Sequence, residues 1–294
     1  VDMYAKCGML DKAQGVFDLL QVRDVVCWTA LITGYALHGH GIEALKLLRQ
    51  MRKERVSPNV VTFVCTLKSC GRIRAIDKGQ EIHLEAEREG FVENNVSLGT
   101  ALVDMYAKFG VMWKARQVFD EMPARNVITW NALISGYVQH GHGYKALKRF
   151  LDMRNHGITP DKVTYICIVK ACGSIGAIDK GKQIHDEIVC KGMLEKEVMI
   201  GNALVDMYAK CGMLVKALEV FRELRRRDVI TWNVLISGYV QCGFASKALE
   251  CFNEMLDDGL SPDSVTFACI LKACGSIGAI EKGEQIHAEI RKQG

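Results

Sequence analysis

Apolar residues fall at helical spacing along this chain. Trp130, Leu133, Ile134 and Tyr137 take steps of 3, 1 and 3, and runs of strict alternation are scarce. The pattern predicts helices. Breakers punctuate it in two registers, with Pro58, Pro160 and Pro262 in one and Gly8, Gly110 and Gly212 in the other. Helices are therefore expected in pairs, with proline in a loop between pairs and glycine at the bend inside one. The pattern also recurs as a block: VDMYAKCG at Val1 returns as VDMYAKFG at Val103 and VDMYAKCG at Val205, 102 residues apart each time. A fixed period without insertions predicts stacked units that bury apolar surface against their neighbours, an all-α solenoid rather than one globular core.

Each period divides at equivalent places into a short, a medium and a long unit. The boundaries expected are 1–24 (partial short), 25–59 (medium), 60–95 (long), 96–126 (short), 127–161 (medium), 162–197 (long), 198–228 (short), 229–263 (medium) and 264–294 (partial long). The residues Gly99 to Leu102 have no counterpart before Val1, so the chain is read as starting inside a unit. Positions 5, 9 and 13 of each first helix lie on one face. They are polar: Asn131, Ser135 and Gln139 in one medium unit, Thr100, Asp104 and Lys108 in one short unit. Such a stripe is either a solvated face or a binding groove.

Composition changes this picture little. With 49% hydrophobic and 24% charged residues among 294, the chain is expected to fold as a soluble protein. No apolar run approaches the ~18 residues of a membrane span. A net charge of +4, from 38 basic and 34 acidic side chains, does not by itself mark a nucleic-acid binder. Any basic signal must come from placement.

Candidate chemistry is sparse. Cys65 with Cys70, Cys167 with Cys172 and Cys269 with Cys274 recur with the period, ahead of His83, His185 and His287. Residues five apart lie ~140° around a helix, no two cysteines are spaced C-x-x-C, and packing explains the period better than a metal or disulfides. No metal or cofactor is expected. His83 with Glu85, His185 with Glu187 and His287 with Glu289 match the H-x-E of zinc nucleobase deaminases. That chemistry also needs P-C-x-x-C, and the four prolines precede Asn59, Ala124, Asp161 and Asp263. The chain is not read as an enzyme. His38, His40, His140 and His142 flank a glycine and are taken as loop residues.

The segments VITWNALISGYVQHGHGYKALKRFLDMRNHGITPD and GNALVDMYAKCGMLVKALEVFRELRRRDV resemble the pentatricopeptide repeat family of plant organelles, in its PLS subclass, and the likeness in unit order and length covers the whole chain. The resemblance implies a right-handed α-solenoid superhelix that binds single-stranded RNA, one nucleotide per unit, as the targeting module of a chloroplast or mitochondrial C-to-U editing factor. Any deaminase would lie outside this chain. Small editing cofactor proteins are implied partners, docking on the long units. The rival reading is a helical scaffold for other proteins.

In that family the fifth and last residues of a unit read the base. Carried over, the pairs are Thr29 with Asn59, Thr100 with Asn126, Asn131 with Asp161, Asn202 with Asp228, and Asn233 with Asp263. Thr with Asn implies adenine and Asn with Asp implies uracil, giving 5′-A-N-A-U-N-U-U-3′ from Val25 onward. An ionised Asp only accepts, which suits the ring N–H of uracil, whereas Asn can donate to the bare ring nitrogen of adenine. Long units carry Val64, Ile166 and Ala268 at the fifth place, and their partners Asn95 and Glu197 are expected to have nothing polar beside them. The resemblance further implies that the second residues Val26, Val61, Ile128, Val163, Met199, Ile230 and Val265 sandwich bases, with Ser97 breaking the series. It places Lys6, Lys108 and Lys210 near phosphates.

Overall fold

The computed structural model describes residues 1–93 and 95–293, with side chains to Arg291. All regular structure among them is helical. The helices are α1 (Asp2–Lys6), α2 (Leu10–Asp18), α3 (Val25–Leu37), α4 (Gly41–Lys53), α5 (Val60–Ile73), α6 (Ile76–Arg88), α7 (Val96–Lys108), α8 (Met112–Glu121), α9 (Val127–Gln139), α10 (Gly143–Asn155), α11 (Lys162–Ile175), α12 (Ile178–Cys190), α13 (Val198–Lys210), α14 (Leu214–Glu223), α15 (Val229–Gln241), α16 (Ala245–Asp257), α17 (Ser264–Ile277) and α18 (Ile280–Gln293). The chain is an α-solenoid of helical repeats. None of the described helices is long and apolar enough to cross a membrane.

By packing, the chain divides into two units, Val1–His140 with Asn155–Ile158, and Gly141–Arg154 with Thr159–Gly294. In the first, α1, α3, α5, α7 and α9 form one row, and α2, α4, α6 and α8 each pack on the next helix of that row. In the second, α11, α13, α15 and α17 form the row, backed in the same way by α12, α14 and α16. The odd-numbered helices are the first helices of the pairs.

Sequence fixes where these helices begin. Asp24, Asn59, Asn95, Asn126, Asp161, Asp228 and Asp263 each sit just before a first helix in extended backbone and accept a hydrogen bond from the N–H three residues on. Each cap satisfies one orphan donor and is worth about 0.5–2 kcal/mol. Glu197, too long for this geometry, makes no such cap on α13.

The core repeats with the period. Trp28, Trp130 and Trp232 are buried, and each meets the edge of Phe17, Phe119 or Phe221 at 4.6–4.7 Å. Behind each phenyl ring lies Arg23, Arg125 or Arg227, its guanidinium 4.8–5.0 Å from the ring centre. Arg125 also donates to the carbonyls of Phe119 and Asp120 at 2.7 and 2.6 Å, closing the end of α8. The cysteines join this packing. Cys70 and Cys172 are buried, and burial pushes their thiols up to about 12 and about 11, which keeps them protonated.

Two groups of histidines also join the units. His38 and His140 sit in the turns just past α3 and α9, as expected of loop residues, but they are not idle there: their Nε2 atoms lie 3.1 and 2.7 Å from the carbonyls of Ala5 and Ala107 in the preceding pair. The contact spans 33 residues, so local pattern cannot show it. His83 and His185 are buried, with Nδ1 2.9 Å from the hydroxyls of Tyr106 and Tyr208. Burial lowers both imidazole pKa values, partly offset for His83 by Glu87. The sign follows: below the ~6.5 of an unfolded histidine the unfolded chain takes up protons that the folded chain refuses. Stability should therefore be full above ~6.5 and fall as pH drops toward the depressed folded values. Urea midpoints at pH 7.5 and 5.5 check this, and replacing both histidines by Gln should shrink the difference.

Candidate nucleic-acid interface

The last residue of a unit, which caps the first helix of the next, stands near the fifth residue of its own unit. Thr29 Oγ1 is 2.8 Å from Thr62 Oγ1, and Thr62 donates to Asn59 Oδ1 at 3.0 Å. Thr100 Oγ1 is 2.7 Å from Thr129 Oγ1, which donates to Asn126 Oδ1 at 3.0 Å. Asn233 donates from Nδ2 to Asp263 Oδ1 at 2.9 Å and accepts from Thr266 Oγ1 at 2.6 Å. Asn202 donates to Asp228, whose Oδ1 takes the N–H and hydroxyl of Thr231 at 2.8 Å each, but the buried Oδ1 of Asn202 has no partner of its own. So four fifth-and-last pairs meet, and in three of them a buried threonine at the third place of the next helix links the two residues. Asn131 lies in the first compact unit and Asp161 in the second.

Of the stripe, it is the fifth residues that are withdrawn from solvent. Thr29, Asn131, Asn202 and Asn233 are only 6–9% exposed, whereas Asn126, Asp228 and Asp263 are exposed at their surface edge. Burial opposes ionisation of Asp263, but the Thr266 N–H, the Asn233 amide and the Thr266 hydroxyl outweigh it and hold the carboxyl below its usual range. The same balance holds Asp228 low, with Thr231 and Asn202 as donors. Both are acceptors at neutral pH. Around Asp263 the donors gather on Oδ1: the Asn233 amide, the Thr266 N–H and the Thr266 hydroxyl, whose one proton it shares with Asn233 Oδ1. No hydrogen bond from the described residues reaches the second carboxylate oxygen of Asp263, and the side chain is exposed. In Asn59 and Asn126 the cap engages the amide oxygen and leaves Nδ2 without a hydrogen bond among the described residues.

The second residues are exposed apolar side chains. Val26, Val61, Ile128, Val163, Met199, Ile230 and Val265 are 43–66% exposed, each at the second position of a first helix, two residues after the residue that precedes the helix. Ser97 is exposed as well. Lys6, Lys108 and Lys210 are exposed but not free: each binds the carboxylate of Asp2, Asp104 or Asp206 one turn earlier at 2.6–2.7 Å. The long units correct a second expectation. Asn95 caps α7 by accepting from Leu98 N–H at 3.0 Å, and Glu197 accepts from Lys162 Nζ at 3.2 Å, so both have polar partners. Among the described residues no group of three or more His, Cys, Asp or Glu is placed to hold a metal ion.

A model described as the PPR repeat family matches residues 23–72, 125–174 and 227–276, and one described as the PPR repeat matches 1–25, 100–127, 163–193 and 202–229. The chain belongs to the PPR repeat family. These repeats account for the segments matched, and no catalytic domain is among them. A chloroplastic pentatricopeptide repeat-containing protein of Arabidopsis thaliana is 36% identical over 99% of this chain and 47% of its own length. A mitochondrial one from the same plant is 34% identical over 97% of this chain and 47% of its own. The chain thus spans about half the length of these relatives. The maize PPR protein PPR10 in complex with an 18-nt psaJ RNA element superposes with a TM-score of 0.52 at 20% identity, over 99% of this chain and 53% of that one. A tetratricopeptide repeat protein from Parabacteroides merdae superposes with 0.56 at 12% identity, over 85% and 98%. Shape is common to both families, so backbone similarity does not choose between RNA and protein as ligand.

Third-position threonines were readable as capping boxes, Asn59 with Thr62 and Asp263 with Thr266, three apart at a helix start. What the pattern could not supply is that the same hydroxyl reaches back to the fifth residue of the preceding unit.

Proposed function

We propose that this PPR array binds single-stranded RNA sequence-specifically, one nucleotide per unit, reading 5′-A-N-A-U-N-U-U-3′ from the unit that starts at Val25. The observation that carries the reading is the unengaged head atom of each cap: the second carboxylate oxygen of Asp263 and the amide nitrogens of Asn59 and Asn126, which no hydrogen bond among the described residues takes up. Uracil offers a ring N–H and a carbonyl, which match the Asp263 oxygen and the second N–H of Asn233. Adenine offers a bare ring nitrogen and an amino group, which match the Asn59 amide and the Thr29 oxygen. A protein-binding groove has no need to couple the two positions in this way.

The exposed second residues supply the stacking surface. A flat base slipped between two aliphatic side chains, such as Met199 and Ile230 in neighbouring units, removes both from water. Lys6, Lys108 and Lys210 sit where phosphates pass. Their carboxylate partners mean that a phosphate exchanges one anion for another there, which makes each a weak contact. The maize neighbour's RNA complex and the plant organellar relatives support an RNA ligand and a chloroplast or mitochondrial setting.

The PLS order of unit lengths supports a finer reading, that the array directs C-to-U editing and that its long units dock small editing cofactor proteins. Enrichment from a random RNA pool tests the whole. A-N-A-U-N-U-U should emerge, and adding such a cofactor should change RNA affinity. A pool that enriches no sequence would favour the protein scaffold, and unchanged affinity would remove the cofactor.

A further inference from the structure

Charge on the groove-side stripe is unevenly distributed among the three unit types. Medium units contribute none at positions 5, 9 and 13: Thr29, Thr33, Leu37; Asn131, Ser135, Gln139; Asn233, Ser237, Gln241. Short units contribute an Asp–Lys pair that cancels, as Asp104 with Lys108 and Asp206 with Lys210. Long units contribute Lys68, Lys170 and Lys272 at position 9, one helical turn after the apolar Val64, Ile166 and Ala268. These three lysines are exposed, and none takes part in an ion pair among the described residues. Arg72, at position 13 of the first long unit, donates to the carbonyl of Ala36 and also meets no carboxylate. The whole net positive charge of the stripe therefore comes from the units that cannot read a base.

Around one of these lysines the surface is already shaped. Lys272 lines a cavity of about 340 Å³ with Ser237 and Gln241 of the preceding medium unit and with Val265, Ala268 and Cys269 of its own. The exposed second residue Val265 and the small fifth residue Ala268 line it together with the cation of Lys272 and with Gln241, whose amide donates to Ser237 Oγ at 3.0 Å. Apolar contact for a base face, no hydrogen-bonding fifth residue to select the base, and one uncompensated cation together describe a site that holds a nucleotide by its backbone.

We infer that the long units are phosphate-anchoring units, in which Lys68, Lys170 and Lys272 grip the RNA backbone at every third nucleotide without selecting its base. The inference rests on the RNA-binding reading and gives the unread N positions a task. It also ranks the lysines: an uncompensated Lys170 should contribute a full counterion-release increment, a Lys108 already neutralised by Asp104 less.

The test is a salt titration of binding to an oligonucleotide containing A-N-A-U-N-U-U, read by fluorescence anisotropy, with circular dichroism as the folding control. Log affinity should fall with log salt, and Lys170→Ala should make that slope shallower by about 0.7, the triple Lys68→Ala, Lys170→Ala, Lys272→Ala change by about 2. Lys170→Arg should keep the wild-type slope, and Lys108→Ala should change it less than Lys170→Ala does. Replacing the RNA linkage opposite the unit of Lys170 by an uncharged methylphosphonate should make Lys170→Ala silent. The preference at every coded position should stay as in the wild type. A triple variant with an unchanged slope, while wild type still binds the matched RNA, overturns the anchoring role and leaves the RNA reading standing. A wild type that binds no RNA overturns both.

Discussion

Asp263→Asn should convert the preference of the unit starting at Val229 from uracil to cytosine. The carboxylate is held by Thr266 and Asn233 through Oδ1, and all three bonds are ones an amide oxygen accepts equally well. The chain supplies its own precedent, since Asn59 and Asn126 cap α5 and α9 through the same oxygen. Folding should therefore be preserved to within a few tenths of a kcal/mol, because Asn and Asp are near-equal N-caps. What changes is the unengaged atom. An acceptor becomes a donor, the ring N–H of uracil loses its partner, and the bare ring nitrogen of cytosine gains one. A good base contact is worth about 1–3 kcal/mol of discrimination, so the ratio of affinities for matched U and C oligonucleotides should move by roughly tenfold or more. Asp161→Asn and Asp228→Asn should do the same at their own positions. If variant and wild type rank the two RNAs in one order, the cap is only a cap, and the scaffold reading gains ground.

The periodic fold was open to reading from sequence because every determinant is local or repeated. Capping residues, the prolines between pairs, the tryptophan of each medium unit and the buried small residues all recur at one spacing. Less of the interface was open. The pairing of Lys108 with Asp104 follows from a spacing of four on a helix and could have been read directly. So could the lysines of the long units, since Lys68, Lys170 and Lys272 share the period. Contacts between units could not, because they join residues about 30 apart whose approach is set by helix packing. His38 on the Ala5 carbonyl and Thr29 on Thr62 are of this kind. The burial of Asn233 is another: on a helical wheel it belongs to a polar stripe, yet the neighbouring first helix covers it and leaves only the cap's edge in solvent.

That buried contact leads to the second large effect, at Thr266. Its side chain is fully buried, and its single hydroxyl proton serves Asn233 Oδ1 at 2.6 Å or Asp263 Oδ1 at 3.0 Å, while its oxygen accepts from Asp263 N–H at 3.1 Å. Thr266→Val keeps the volume and removes the hydroxyl. The acceptor of Asn233, almost wholly buried, then has no donor, a loss of about 1–3 kcal/mol in stability. The functional consequence is separate from that loss. With the link gone, the Asn233 amide is no longer fixed by two bonds, and its remaining N–H stops pointing at the base. Discrimination between matched and mismatched RNA at this one position should shrink toward none, while the other coded positions, the apolar sandwich and the backbone contacts keep their contributions. Thr266→Ser restores the hydroxyl and should restore discrimination. Thr62→Val and Thr129→Val should act likewise on adenine at the units of Thr29 and Thr100, whose hydroxyls they face. A uniform loss of affinity for every oligonucleotide, with each matched-to-mismatched ratio unchanged, would show that Thr266 holds the fold together without orienting the reader.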